Sequence, residues 1–209
     1  MKRVLVVDDH SVVRDGLRAI LTGMGFEDIR EASSAGGAME LVRSLDFDLV
    51  IQDLNMPGTD GIELMGQIRR HDATIPVLVL SMYPEQQYAA RVMRAGASGY
   101  VGKDSIPGEL ETAVRRVASG GKYISSSFAE RLATGLSPRA DRQLHEQLSD
   151  REFQVMAAIL DGKSLTTIAG ELHISVKTVS THRARILEKL ELESTVDLVR
   201  YAIKHGLCE

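Results

Sequence analysis

Five polar side chains stand where apolar runs stop. Asp8 and Asp9 follow Val4–Val7, Asp53 closes a run at Leu49–Ile51, Ser81 follows Val77–Leu80, and Lys103 lies just beyond a weaker run near Tyr100. If these runs are neighbouring parallel strands, the five residues share one sheet edge. Carboxylates a few ångströms apart repel strongly in a partly buried site. A hard divalent cation with oxygen ligands relieves that repulsion, and magnesium suits a few carboxylates plus water. A hydroxyl and an ammonium beside carboxylates and a cation make a phosphoryl-binding set. One carboxylate can then act as nucleophile and become an aspartyl phosphate. A single Asp at a strand end reads equally well as a helix cap; suitable residues at successive strand ends do not. Two rival chemistries fail on the same residues. A calcium loop starting at Asp53 would need a ligand where Pro57 stands and a glutamate where Leu64 stands. A phosphatase with an aspartate nucleophile would want a second Asp where Asn55 stands.

The elements that must position these residues are legible as alternation. Apolar β-branched runs, with weaker ones near Ile29 and Tyr100, alternate with stretches of helical period such as Val12, Val13, Leu17, Ile20 and Leu21. Strand and helix alternate about five times, which predicts an α/β domain with a doubly wound, five-stranded parallel sheet over residues 1–120. In such folds the site lies outside the carboxyl ends of the strands. After Gly120-Gly121 the pattern changes, and residues 121–145 read as a linker with a helical piece around Phe128–Ala133. Residues 146–209 show helical patterns alone. Ser149 and Glu152 form a capping box, followed by a short helix at Leu165–Leu172, a turn at His173–Ser175, a longer helix at Val176–Leu190, and a last helix capped by Ser194 or Thr195.

Composition narrows the function classes. Net charge is −4, so the whole chain is no basic nucleic-acid coat, although a local basic face is allowed. The single cysteine, Cys208, excludes an intrachain disulfide and a cysteine-rich zinc site. Trp is absent and aromatics are 4%, which argues against a stacking single-strand binder. No apolar run is long enough to span a bilayer, and the start MKRVLVVDDH is not a signal peptide, so a cytoplasmic protein without membrane contact is expected. The basic residues of the last domain concentrate in the helix from Val176: Lys177, Arg183, Arg185 and Lys189. Ile174, Val176, Val179, Ile186, Leu187 and Leu190 are expected to be its buried stripe. The short helix, turn and longer helix have helix-turn-helix spacing, and small polar and basic side chains on an exposed helix suit a major groove.

The segments VLVVDDH, DLVIQDLNMPGTDGIEL, VLVLS and AGASGYVGKD resemble the receiver domain of two-component response regulators. That resemblance implies a flavodoxin-like fold in which Asp53 accepts a phosphoryl group from a sensor histidine kinase. It implies that Asp8, Asp9, Asp53 and the backbone carbonyl of Asn55 bind Mg2+, that Ser81 and Lys103 contact the phosphoryl group, and that Tyr100 is a switch aromatic coupled to Ser81. Two residues depart from the pattern. Gln52 replaces the usual apolar residue before the acceptor, and Asp104 stands where many receivers have proline. His10 is read as a surface or capping residue, not a ligand.

The segment LSDREFQVMAAILDGKSLTTIAGELHISVKTVSTHRARILEKLEL resembles the LuxR-type helix-turn-helix of NarL/FixJ response regulators. It implies a four-helix DNA-binding domain over residues 146–209, with the helix from Val176 as recognition helix. By position, Ser180, Thr181 and Ala184 would face the groove, with Lys177, Thr178, His182, Arg183 and Arg185 nearby. The family often has lysine at the position of Ser180, which shifts the expected phosphate contacts to Arg183, Arg185 and Lys189. His182 is expected to orient or pack. The two resemblances imply a transcriptional regulator that is no turnover enzyme, binding double-stranded DNA as a homodimer on phosphorylation. The rival readings are a phosphoryl-transfer enzyme with the helices as a dimerisation unit, and a protein-binding adaptor. The basic helix 177–189, which an enzyme would not need, discriminates against the first, and an adaptor would show no salt-dependent retention on DNA.

Overall fold

The structure is a computed structural model and describes residues 2–56, 59–83, 85–133 and 144–208. The chain divides into two compact units, one ending at Ala133 and one following it.

The first unit holds strands β1 (Arg3–Val7), β2 (Asp28–Ala32), β3 (Leu49–Asp53), the two-residue β4 (Asn55–Met56) and β5 (Thr59–Asp60), β6 (Val77–Ser81) and β7 (Gly99–Gly102). Its helices are α1 (Ser11–Gly23), α2 (Ala35–Ser44), α3 (Gly61–His71), α4 (Glu85–Arg94), α5 (Ile106–Ala118) and α6 (Ser126–Ala133). The main sheet is five-stranded and all parallel, in the order β2-β1-β3-β6-β7. Every residue of β3 and β6 is buried, as a sheet covered by helices on both faces requires. One face packs Val4, Val6, Leu49, Ile51, Leu78 and Leu80 against Leu17 and Leu21 of α1 and Leu110, Val114 and Val117 of α5. The register sets Val7 beside Gln52, Asp53 beside Leu80, and Ser81 beside Gly102. The carboxyl ends of four strands therefore reach one edge together.

β4 and β5 form a small antiparallel hairpin that returns the chain after Asp53 to the start of α3. The return is tight. A Cβ on Gly61 would lie 2.5 Å from the Leu54 Cα, so only glycine fits. Gln52, the departure before the acceptor position, is fully buried, and its Nε2 donates to the Gly61 carbonyl at 2.6 Å.

Residues 121–133 remain part of this unit. Gly120 has φ +84 and ends α5 as a C-terminal glycine, which is why Gly-Gly reads as a boundary in sequence. Tyr123 then lies along β7: its N–H donates to Ser98 O at 2.9 Å, and its carbonyl accepts from Tyr100 N at 3.1 Å. A Cβ on Gly99 would be 3.1 Å from the Tyr123 Cβ, so glycine permits this approach. Ser125 donates its N–H to Glu85 Oε1 at 2.8 Å and its hydroxyl to Glu85 Oε2, while Phe128 N donates to Ser125 Oγ. Buried Phe128 anchors α6. The expected linker from residue 121 thus begins as part of the first unit, and residues 134–143 of it lie outside the described residues.

The second unit holds a 3-10 turn (Leu144–Gln147), α7 (Asp150–Leu160), α8 (Leu165–Glu171), α9 (Val176–Lys189) and α10 (Thr195–Lys204). Its helix starts are written in the sequence. Ser149, Ser164, Ser175 and Ser194 each accept from the N–H three residues on, and the Ser149–Glu152 capping box is complete. His173 takes φ +52 in the turn between α8 and α9. Val179, Ile186 and Leu190 are buried, but Val176 is 42% exposed. It occupies the first turn of α9, ahead of the packed part of the stripe.

Candidate functional site

The sheet edge brings the predicted residues together. Lys103 opens a 3-10 turn after β7. Its Nζ lies 2.6 Å from Asp8 Oδ2 and 2.7 Å from Asp53 Oδ2. Asp8 and Asp53 are 1% and 3% exposed. Asp53 Oδ1 accepts from Asn55 N at 3.1 Å, which fixes the carboxylate against the start of the hairpin. Ser81, also buried, accepts from Tyr83 N at 3.0 Å. The Tyr100 ring is fully buried beside it, and its hydroxyl donates to Tyr83 O at 2.6 Å.

Burial pushes the Asp53 carboxyl up; the Lys103 ammonium opposes this, and the Asp8 carboxylate adds to it. For Lys103, burial works against the charge, but Asp53 and Asp8 outweigh it and hold the ammonium above its ordinary value. Burial also pushes the Tyr100 phenol up, so it stays a hydrogen-bond donor.

Asp8, Asp9 and Asp53 carry three negative charges against one on Lys103, a formal balance of −2 (−3 + 1). The buried Asp9 Oδ1 has no hydrogen-bond partner among the described residues. Ligand atoms of Asp8, Asp9, His10 and Asp53 all lie within 4.8 Å of one another. An orphaned buried carboxylate oxygen and a −2 balance fit a divalent cation. His10 is an exposed surface residue at the start of α1, as the sequence reading expects. It precedes α1 and makes no side-chain cap bond. Its Nδ1 lies instead 3.0 Å from Asp9 Oδ1 and 3.3 Å from Asp8 Oδ1. Gln52 is the other participant whose task sequence reasoning missed; its polarity inside an apolar run was the available signal.

In the second unit, α9 presents Lys177, Thr178, Thr181, Arg183, Ala184 and Arg185 to solvent, with Ser180 and His182 half-buried. Thr178 Oγ1 is engaged with the Ser175 cap, and Thr181 Oγ1 donates to Lys177 O at 3.0 Å. Burial holds the His182 imidazole below its ordinary value, and its Nδ1 has no hydrogen-bond partner among the described residues; this accords with an orienting or packing residue. Lys189 differs from expectation. Its Nζ lies 2.6 Å from Glu152 Oε2 and contacts Gln147 O, so it braces α9 against α7 and is not a free cation. No helix among the described residues is long and apolar enough to cross a membrane.

Comparison with known proteins agrees with both halves. Residues 4–115 match the response regulator receiver domain, and residues 146–202 match the bacterial regulatory proteins of the luxR family. The chain is 38% identical over 210 residues to the response regulator UvrY of Escherichia coli (strain K12), covering all of this chain and 96% of that protein. It is 36% identical over 211 residues to the response regulator GacA of Pseudomonas viridiflava, covering 100% and 99%. Among solved structures, RcsB from Salmonella enterica serovar Typhimurium, bound to promoter rprA in the presence of phosphomimetic BeF3-, is similar at a TM-score of 0.65 and 27% identity, covering 96% of this chain and 97% of that one. With a receiver's acid edge in the first unit, a luxR-type helical second unit and full-length relatives of the same build, the chain belongs to the NarL/FixJ-type response regulators.

Proposed function

We propose that Asp53 is the phosphoacceptor of this regulator and that its phosphorylation controls binding of double-stranded DNA by α9. The observation that carries the reading is the position of Lys103 Nζ, within 2.7 Å of both Asp8 and Asp53, at the edge where Ser81 ends the adjoining strand. A carboxylate oxygen of Asp53 attacks phosphorus, the P–N bond of a sensor kinase's phosphohistidine breaks as the new P–O bond forms, and the imidazole nitrogen leaves. Lys103 and the Ser81 hydroxyl receive the phosphoryl oxygens. Asp8, Asp9, Asp53 and the Asn55 carbonyl would hold Mg2+, which when bound offsets charge on the phosphoryl group. Loss of Lys103 from Asp53 and recruitment of Ser81 alter the loop that Tyr100 grips through Tyr83 O. Tyr100 is thereby the switch residue, and any self-dephosphorylation at Asp53 is slow.

On the DNA side, Arg183, Arg185 and Lys177 are the exposed cations for backbone phosphates, with Lys189 reaching them only by giving up Glu152. Thr181, Thr178, Ser180 and His182 line the same helix. A homodimer on two half-sites gains from linked contacts, and RcsB has been solved as dimers bound to DNA. Such a protein works where DNA and the kinase's phosphotransfer domain are found, the cytoplasm. The test is mass spectrometry with phosphoramidate and magnesium, paired with operator titration. Wild type should gain one phosphoryl group and bind more tightly by about 5- to 150-fold, while Asp53→Asn gains neither. An Asp53→Asn variant that is phosphorylated at the wild-type rate refutes the assignment.

A further inference from the structure

The cation site proposed above contains a nitrogen donor that a purely carboxylate site lacks. We infer that His10 Nδ1 is a ligand in that site, and that it tilts the site from magnesium toward divalent transition ions such as Mn2+ and Ni2+.

The geometry is specific to this atom. One ligand atom each of His10, Asp8, Asp9 and Asp53 lies within 4.8 Å of the others, which is the diameter of one coordination shell with bonds of about 2.0–2.4 Å, and Nδ1 is the ring atom 3.0 Å from Asp9 Oδ1 and 3.3 Å from Asp8 Oδ1. The backbone holds it there: His10 N donates to Asp8 Oδ1 at 2.8 Å, in an extended conformation just ahead of α1. The ring faces the acid edge although 63% of the side chain is exposed and solvent was open to it. It does not cap α1. Its Nδ1 lies 3.0 Å from Asp9 Oδ1, a buried oxygen with no other polar partner among the described residues. A cation placed to satisfy that oxygen meets Nδ1 as well. In the Nε2–H tautomer, Nδ1 carries the lone pair that ligation needs.

The chemical consequence follows from ligand type. Magnesium gains little from imidazole and keeps its waters, whereas Mn2+ and, more strongly, Ni2+ favour a nitrogen donor. The same four residues therefore discriminate between ions that three carboxylates would treat more evenly.

The inference rests on the cation site of the proposed function, and the experiment separates the two. Full-length wild type, His10→Ala and Asp9→Asn are titrated with Mg2+, Mn2+ and Ni2+ by calorimetry. The Mn2+-loaded wild type is also examined by electron spin-echo envelope modulation with natural and 15N-histidine-labelled protein. Wild type should show modulation from a directly bonded histidine nitrogen that changes with the label and vanishes in His10→Ala. His10→Ala should weaken Mn2+ and Ni2+ by about tenfold or more while Mg2+ changes less than about twofold. Absence of the nitrogen signal in Mn2+-loaded wild type overturns the inference while leaving the carboxylate site intact. Equal weakening of all three ions also overturns it, because His10 then merely steadies Asp9. Failure of wild type to bind any of the ions, with Asp9→Asn no different, overturns both readings.

Discussion

Gln52 carries a cost and a benefit on one side chain. Its amide hydrogen reaches the Gly61 carbonyl, while its Oε1 is buried without a hydrogen-bond partner among the described residues. Replacing it with leucine, the kind of residue expected at that place in a strand, removes the orphaned oxygen together with the Nε2–H bond to the Gly61 carbonyl, an oxygen that as the first of α3 also accepts within the helix. Gln52→Leu should change stability by no more than about 1.5 kcal/mol in urea unfolding followed through the first unit, the lost bond being offset by removal of the orphaned oxygen; a loss of about 3 kcal/mol or more would show that the bond is indispensable. At this scale the sequence was most informative where residue type and strand end coincide. Asp8, Asp9, Asp53, Ser81 and Lys103 are polar groups at the end of apolar runs, and parallel pairing leaves them nowhere else to meet. His10 and Gln52 escaped because their partners are set by side-chain direction, which no periodicity encodes.

α7 and α9 are tied by one carboxylate. Glu152 Oε2 accepts from Ser149 N at 2.7 Å, closing the capping box, and from Lys189 Nζ at 2.6 Å. Burial works to raise the Glu152 carboxyl, but the bonds to Lys189 and Ser149 outweigh it and hold the carboxyl below its ordinary 4.5. A depressed folded value means the unfolded chain takes up the proton first. The contribution of Glu152 is therefore complete above pH 4.5 and is lost as pH falls through the lower folded value. Urea midpoints of the helical signal should separate wild type from Glu152→Gln at pH 7, and the separation should shrink below pH 4.5. A constant separation down to pH 3 would mean that Glu152 acts through packing alone. The same bond gives Lys189 a partner that the sequence does not reveal. A basic residue on a basic helix suggests phosphate contact, and only the packing of α7 against α9 reveals its acidic partner. The helices themselves were legible, since serine caps and apolar spacing are local signals; the exposed Val176 was not, because burial depends on the neighbouring helix.

Across the whole molecule, the receiver's sheet treats its two outer strands differently. β2 is flanked by charge, with Arg3 on Asp28 at 2.6 Å and Arg14 and Arg18 on Glu31. β7 is covered by the chain itself, through Tyr123 and the Ser125–Glu85 bonds. A domain boundary drawn at Gly120, where sequence punctuation suggests it, removes that cover. Fragment 1–120 should self-associate with rising concentration in sedimentation velocity, and fragment 1–133 should not; equal behaviour would deny Tyr123 this task. An unpaired outer strand is a template for any passing strand. During synthesis, β7 ends at Gly102 and Tyr123 follows 21 residues later (123 − 102). At roughly 5–20 residues per second, each nascent receiver carries a bare β7 for about one to four seconds before its own chain arrives to close it. Neighbouring ribosomes on one message hold many such chains close together in that interval, so the placement of Tyr123 so soon after the last strand limits how long they can find one another.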